Sequence, residues 1–101
     1  MNFLGGNMNE RDLTLACLRY RLARAKDAQA RVIKEAIRLI ESGAYVRQCD
    51  EYNGLYIFVC EECEDGPWAV KNGCSCLDWE RNKTCPHVLI VNIVKWLRGE
   101  T

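Results

Sequence analysis

The sequence predicts a single small α+β domain, built from a long N-terminal helix, a three-stranded antiparallel sheet and a C-terminal helix. Three observations predict this order of elements. Residues 10–42 contain neither proline nor glycine, the middle of the chain holds short apolar runs between turn residues, and the last apolar run lies between Pro86 and Gly99. With 101 residues, 49% hydrophobic side chains and 28% charged ones, the chain has the size and composition of one globular domain.

The first helix is expected to fill most of an N-terminal helical region, residues 1–42, and to end at Gly43. On a helical wheel the apolar residues of both halves share one face, but the first half is apolar on a second side as well. Because a continuous helix of this length would extend about 50 Å, we expect its N-terminal half to fold back near Lys26 or to pack on another chain. The predicted surface for a partner or a second copy comprises Leu13, Leu15, Leu18, Tyr20 and Leu22.

Residues 43–99 are predicted to form the sheet and the last helix. Asn53-Gly54 is the two-residue signal of a type I′ hairpin turn, so the strands on either side of it are expected to be antiparallel. Pro86 suits the first turn of the last helix, which is apolar on most sides and is therefore expected to pack centrally, between the sheet and the first helix. Strands are predicted over residues 45–52, 55–60 and 68–71.

Three of the seven cysteines and the only histidine fall within 14 residues, in the order Cys74-x-Cys76-x8-Cys85-x-His87. Thiolates and imidazole at such short spacing are the ligands of structural zinc sites. In a regular strand, residues i and i+2 stand about 7 Å apart, too far for two sulfurs that each bind one zinc ion at about 2.3 Å. Cys74 and Cys76 must therefore lie in a turn, for which Gly73 supplies conformational freedom.

The second half of the motif is predicted to lie at the start of the last helix. Within a helix, the side chains of Cys85 and His87 would point about 200° apart, because each residue turns the helix by about 100°. Cys85 must therefore be the cap outside the helix, with Pro86 in the first helical position and His87 in the second. The predicted site holds one structural zinc ion and joins the turn after the third strand to the last helix.

This motif resembles the signature of SWIM zinc-finger domains. Ser75, between the first two cysteines, and Leu77-Asp78-Trp79, after them, are also similar to family sequences. The order of helix segment, hairpin and third strand upstream is laid out as in SWIM modules, so the resemblance covers roughly residues 31–97.

The resemblance implies that residues 43–99 form a SWIM-like zinc-binding module, with the cysteines and the histidine of the motif as ligands. It also implies an accessory factor that binds DNA or a DNA-processing protein. Pro86 stands where family members often carry a basic residue, so one candidate phosphate contact is missing.

Two alternatives to this site remain open from the sequence. Cys60 and Cys63 form a C-x2-C pair that, together with the first two cysteines of the motif, makes a candidate four-cysteine site. The same pair lies in an acidic segment and also suits a labile disulfide or solvent-facing thiols. The second alternative is a set of buried free thiols beside a core histidine. Cys17 and Cys49 are expected to be ordinary core or interface residues.

The predicted zinc site is not expected to be catalytic. Four protein ligands close the tetrahedron and leave no position for water. Because His87 is one of these ligands, no histidine remains for a catalytic triad or a general base. The sequence also lacks a phosphate-binding glycine loop, so it favours a binding protein without a small-molecule substrate.

The formal net charge is zero, but the charges are unevenly spread. Residues 10–40 carry eight basic and four acidic side chains, whereas residues 41–70 carry one basic and seven acidic. An adaptor or homodimeric scaffold without nucleic-acid binding is the alternative to a nucleic-acid partner, for which Trp79 is a candidate base-stacking residue. The predicted nucleic-acid contacts are Arg24, Arg31, Lys34, Arg38, Arg81 and Lys83.

The N-terminal residues show no basic region followed by a long apolar stretch. The sequence therefore predicts neither a secretion signal nor a membrane span. The sequence therefore favours an intracellular protein, cytoplasmic or nuclear, in a reducing compartment where thiols bind metals more often than they form disulfides.

Overall fold

The computed structural model describes residues 9–49, 54–60, 67–71, 73–82 and 84–99. Within them, four helices and a three-stranded antiparallel sheet confirm the predicted α+β class. No described helix is both long and apolar enough to cross a membrane. In chain order the elements are helix α1 (Glu10–Leu22), helix α2 (Asp27–Glu41), strand β1 (Tyr45–Gln48), strand β2 (Tyr56–Val59), strand β3 (Trp68–Val70), helix α3 (Leu77–Asn82) and helix α4 (Pro86–Leu97).

The predicted long N-terminal helix is in fact two helices. After Leu22, the N–H groups of Arg24 and Ala25 donate to carbonyls three residues earlier, at 3.1 and 3.2 Å, and so close α1 in a tight turn. Asp27 begins α2 with a φ of 45°, a conformation that Asp adopts more readily than most residues. Because α1 packs against α2 and α4, the chain takes the predicted fold-back, close to Lys26.

The fold-back buries part of the predicted partner surface. Leu15 and Leu18 are 5% and 0% exposed and belong to the hydrophobic core, so in this structure they are core residues and not surface contacts. Leu13 and Leu22 are half-buried, whereas Tyr20 is 62% exposed. The shared apolar face of α1, with Leu15 and Leu18, thus packs inside this chain against α2 and α4, whereas the second apolar side keeps Tyr20 exposed.

The end of α2 is formed by a glycine, as the sequence predicts. Gly43 has a φ of 101°, in the left-handed region that favours glycine. Its N–H donates to the carbonyl of Ile40 at 3.0 Å, and the next N–H, that of Ala44, donates to the carbonyl of Leu39 at 3.1 Å. This pair of bonds satisfies the last carbonyls of α2 and directs the chain into β1.

Strand β2 is the central strand of the sheet, with β1 and β3 antiparallel on either side of it. Its Phe58 stands opposite Val46 of β1 and Trp68 of β3. Helix α4 packs against α1, α2, β2 and β3 and buries Ile90 and Ile93, which confirms its predicted central position. Gly54 of the predicted hairpin turn has a φ of 83°, as a type I′ turn requires, whereas Asn53 and the end of the first predicted strand, residues 50–52, lie outside the described residues.

Candidate metal centre

The turn after β3 folds back over that strand. The N–H of Ser75 donates to the carbonyl of Ala69 at 3.1 Å, and the Ser75 hydroxyl accepts from the N–H of Ala69 at 3.1 Å. Cys74 forms an isolated antiparallel bridge with Val70. Ser75 is thereby fastened to β3 by both its backbone and its side chain, and the cysteines on either side of it lie in a turn, as the spacing predicts.

Gly73 opens this turn for a different reason from the one the sequence suggests. A Cβ atom added to Gly73 would lie 2.6 Å from Nε1 and 2.9 Å from Cε2 of Trp79. The absence of a side chain therefore makes room for the indole ring of α3. The half-buried Trp79 packs against the turn that carries the cysteines.

Cys85 lies at the N-cap of α4, outside the helix, as the helical geometry requires. Its backbone is extended, with a φ of −164° and a ψ of 159°, and its Sγ accepts from the N–H of Val88 at 3.4 Å. Pro86 occupies the first turn, and His87 follows it, only 4% exposed. Helix α4 therefore presents a thiol and an imidazole at its start, where the helix dipole favours a thiolate.

The four side chains of the motif meet at one point. One ligand atom from each of Cys74, Cys76, Cys85 and His87 lies within 4.8 Å of all the others. Cys74 Sγ is 3.6 Å from His87 Nδ1. A tetrahedral zinc site with sulfurs at about 2.3 Å and a nitrogen at about 2.0 Å needs edges of about 3.8 Å between sulfurs and about 3.5 Å between sulfur and nitrogen. The cluster fits such a site after contractions of about 1.3 Å or less.

Burial controls the protonation of these thiols. Burial raises the pKa of the Cys74 thiol and of the Cys85 thiol, while hydrogen bonds from the backbone of Cys76 and of Val88, respectively, oppose the rise. In the metal-free chain the two groups are therefore neutral thiols at neutral pH. A bound cation would stabilise their thiolate forms and release their protons.

Two aromatic rings of the sheet hold the imidazole of His87. The ring of Phe58 has its centroid 4.8 Å from the imidazole centroid, and the ring of Trp68 has its centroid at 5.7 Å. Phe58 is fully buried, so the imidazole rests on the hydrophobic core while its Nδ1 faces Cys74. Sequence patterns do not assign these two residues to the site, because they are distant in sequence and show only the alternation of a strand.

The alternative four-cysteine site lacks one of its ligands in this structure. Cys60 is disulfide-bonded, so its sulfur is not a thiolate ligand. Cys63 and the rest of the acidic segment, residues 61–66, lie outside the described residues. Cys17 and Cys49 are free, half-buried and not part of the cluster.

The predicted basic contacts are distributed over several elements. Arg31, Lys34 and Arg38 are exposed and share one face of α2. Arg38 donates two hydrogen bonds to Glu35, which hold the pKa of the Glu35 carboxyl below its usual value.

The other basic residues lie away from that face. The guanidinium of Arg24 stacks over the ring of Tyr20, 4.6 Å from its centroid, in the connection between α1 and α2. Arg81 is exposed on α3, and Lys83 lies outside the described residues. Of the predicted contacts that the structure describes, those on α2 form a stripe, and Arg24 and Arg81 lie on other parts of the chain.

The described cluster can hold one metal ion through three sulfurs and one nitrogen. No protein-family model, no curated protein and no solved structure matches the chain. The function is therefore inferred from the geometry of this cluster and from the chemistry of its four ligands.

Proposed function

We propose that the chain is a small, non-enzymatic, zinc-binding interaction module of the SWIM type. The convergence of the Cys74, Cys76, Cys85 and His87 ligand atoms within 4.8 Å carries this proposal. Three soft sulfur ligands and one imidazole suit zinc better than the hard cations magnesium and calcium, which take oxygen ligands. The ligand spacing and the order of sheet, turn and helix support the SWIM type.

The role we propose for zinc is structural. Four protein ligands would complete its coordination, so no position would remain for a water molecule or a substrate. The ion would join the turn after β3 to the start of α4. Zinc binding contributes about 10–16 kcal/mol in small modules, against a total stability of about 5–15 kcal/mol for a typical domain. The zinc ion would therefore decide whether this part of the chain folds.

The proposed partner is nucleic acid or a DNA-processing protein. The exposed stripe of Arg31, Lys34 and Arg38 on α2 supports nucleic-acid binding, because cations on one face can follow a phosphate backbone.

A specific observation also favours a second candidate, a homodimeric scaffold. Tyr20 and Trp96 are 62% and 64% exposed, and with Ala16 and Cys17 they line a shallow apolar depression between α1 and α4. Such exposed apolar patches often mark protein interfaces.

Native mass spectrometry of the purified chain tests both metal content and oligomeric state. We expect one zinc ion per chain, retained in wild type and in Cys49→Ser, and lost in Cys85→Ser. Cys49 is the matched control because it is a free cysteine outside the cluster. A dimer that separates in Tyr20→Ser/Trp96→Ser would favour the scaffold.

A folded wild-type chain that carries no metal would contradict the proposed function. Two zinc ions per chain would contradict the single site. Far-UV circular dichroism of the same samples shows whether each variant is folded.

A further inference from the structure

A groove lies between the N-terminal half of α2 and the start of α4, beside the metal cluster. Its two adjoining parts have volumes of about 370 and 510 Å³ and share Gln29, Val32 and Thr84 as lining residues. Ile33 and Leu89 extend the apolar floor that Val32 provides. A concave apolar surface of this size can hold one or two large side chains of a bound segment.

The rim of this groove is basic. Arg21 and Arg24 border one part, and Arg31 borders the other. Among the described residues, no carboxylate lies within 4.0 Å of these three arginines, and no Asp or Glu lines either part of the groove. By contrast, Arg19, also on α1, forms an ion pair with Glu41 at 2.9 Å. The groove therefore has positive charge available for a binding partner.

We propose that this groove binds an acidic peptide segment of a partner protein. A large apolar side chain of the segment enters the floor at Val32 and Leu89, and carboxylates on either side of it pair with the rim arginines. Apolar anchors flanked by complementary charges are a recurring way to bind peptides, with the anchor giving affinity and the charges giving orientation.

The lining of the groove favours a peptide over a single-stranded nucleic acid. Nucleic-acid channels offer open aromatic faces on which bases stack. The aromatic residue lining this groove is Tyr20, and the guanidinium of Arg24 covers its ring at 4.6 Å. The aliphatic floor gives no hydrogen bonds to bases or phosphates, whereas it suits an apolar side chain.

The groove is coupled to the metal cluster through one of its walls. Thr84, Cys85 and Pro86 form that wall, and Cys85 is one of the four cluster residues. The proposal therefore rests on the proposed function in this respect, because zinc would hold the wall in place. We expect the peptide to bind zinc-loaded protein and to dissociate when a chelator removes the metal.

Selection from a random phage-displayed peptide library on the full zinc-loaded chain tests the proposal. We expect enriched peptides with several Asp or Glu residues around one large apolar residue. A synthetic copy of the most enriched peptide should bind Arg21→Glu/Arg31→Glu about tenfold or more weakly than wild type, measured by fluorescence anisotropy. Arg21→Lys/Arg31→Lys should bind more tightly than Arg21→Glu/Arg31→Glu, because it keeps the charge although it loses the planar guanidinium. Arg11→Glu/Arg47→Glu, which reverses two exposed charges outside the groove, is the matched control and should bind as wild type does.

Three results would overturn the proposal: no enriched peptide, enriched peptides without an acidic bias, or equal binding to the charge-reversed variant. Displacement of the peptide by single-stranded DNA would assign the groove to nucleic acid, and a dimer that dissociates in the charge-reversed variant would assign it to a second copy. Measuring the zinc content of each sample distinguishes a failure of the groove proposal from a failure of the zinc proposal. Zinc-loaded protein that binds no acidic peptide contradicts the groove alone, whereas peptide binding by folded, zinc-free protein supports the groove and contradicts the zinc site.

Discussion

Gly73 determines how closely α3 can approach the turn that carries Cys74 and Cys76. The Nε1 and Cε2 atoms of Trp79 occupy the space that a Cβ atom at position 73 would need. Both atoms belong to a rigid, half-buried indole ring, so a methyl group there would displace either the ring or the turn. The absence of a Cβ atom at Gly73 thus lets α3 pack closely against the turn that carries Cys74 and Cys76.

We expect Gly73→Ala to lower the unfolding free energy of the zinc-loaded chain by about 1–3 kcal/mol, the usual cost of overpacking. Urea unfolding in excess zinc measures this change. In a Trp79→Ala background the same substitution should lower the unfolding free energy much less, because the indole atoms that the new methyl group would contact are absent. An equal cost in both backgrounds would show that the Trp79 contact is not the cause.

At residue scale, the identity of the candidate ligands could be predicted from the sequence, but the support around them could not. The spacing of Cys85 and His87 fixes which residue lies outside the helix, because helix geometry allows one arrangement only. Phe58 and Trp68, whose rings hold the imidazole, are brought there by strand pairing, and their own sequence neighbourhoods give no sign of it. The sequence signal at Gly73 is ambiguous, since a glycine marks either a turn or a close contact.

The N-terminal region shows that the sequence pattern alone does not place the break between α1 and α2. Residues 10–42 contain no helix breaker, so local propensity allows one helix throughout. The chain breaks it after Leu22 because packing α1 against α2 and α4 buries Leu15 and Leu18. The two-sided apolar character of α1 indicated a second contact, but the sequence left open whether this chain or another one supplies it. The sequence does not predict helix α3, because a helix of six residues is too short to show a helical period.

The basic face of α2 leads to a prediction about nucleic acid. Lys34→Glu/Arg38→Glu should weaken binding of a labelled DNA duplex and should make its salt dependence shallower, by about one unit of slope for each phosphate that the variant no longer neutralises. Fluorescence anisotropy over a series of salt concentrations measures both quantities. These positions lie outside the lining of the peptide groove, so the variants separate the two surfaces.

Arg11→Glu/Arg47→Glu is the matched control, since it reverses the same number of charges on α1 and β1. If the control and the α2 variant bind DNA equally weakly, binding depends on total charge and not on the α2 face. Undiminished binding by the α2 variant would contradict a role for this face.

At the scale of the whole molecule, α4 connects the helical and metal-binding parts. Its start carries Cys85 and His87, and its body packs on α1, α2 and the sheet. Just beyond its end, Arg98 donates to both carboxylate oxygens of Glu10, at 2.7 and 3.0 Å, and to the carbonyl of Val46 at 3.0 Å. The proposed zinc ion therefore acts at one end of a helix whose other end is tied to the start of α1.

X-ray absorption at the zinc K-edge of the purified, zinc-loaded chain observes the coordination shell of the metal directly. We expect three sulfur scatterers at about 2.3 Å and one nitrogen scatterer at about 2.0 Å. Cys49→Ser should give the same spectrum, and Cys76→Ser should lose one sulfur or fail to retain zinc. A shell of four sulfurs, or one made mainly of oxygen and nitrogen, would contradict binding by Cys74, Cys76, Cys85 and His87.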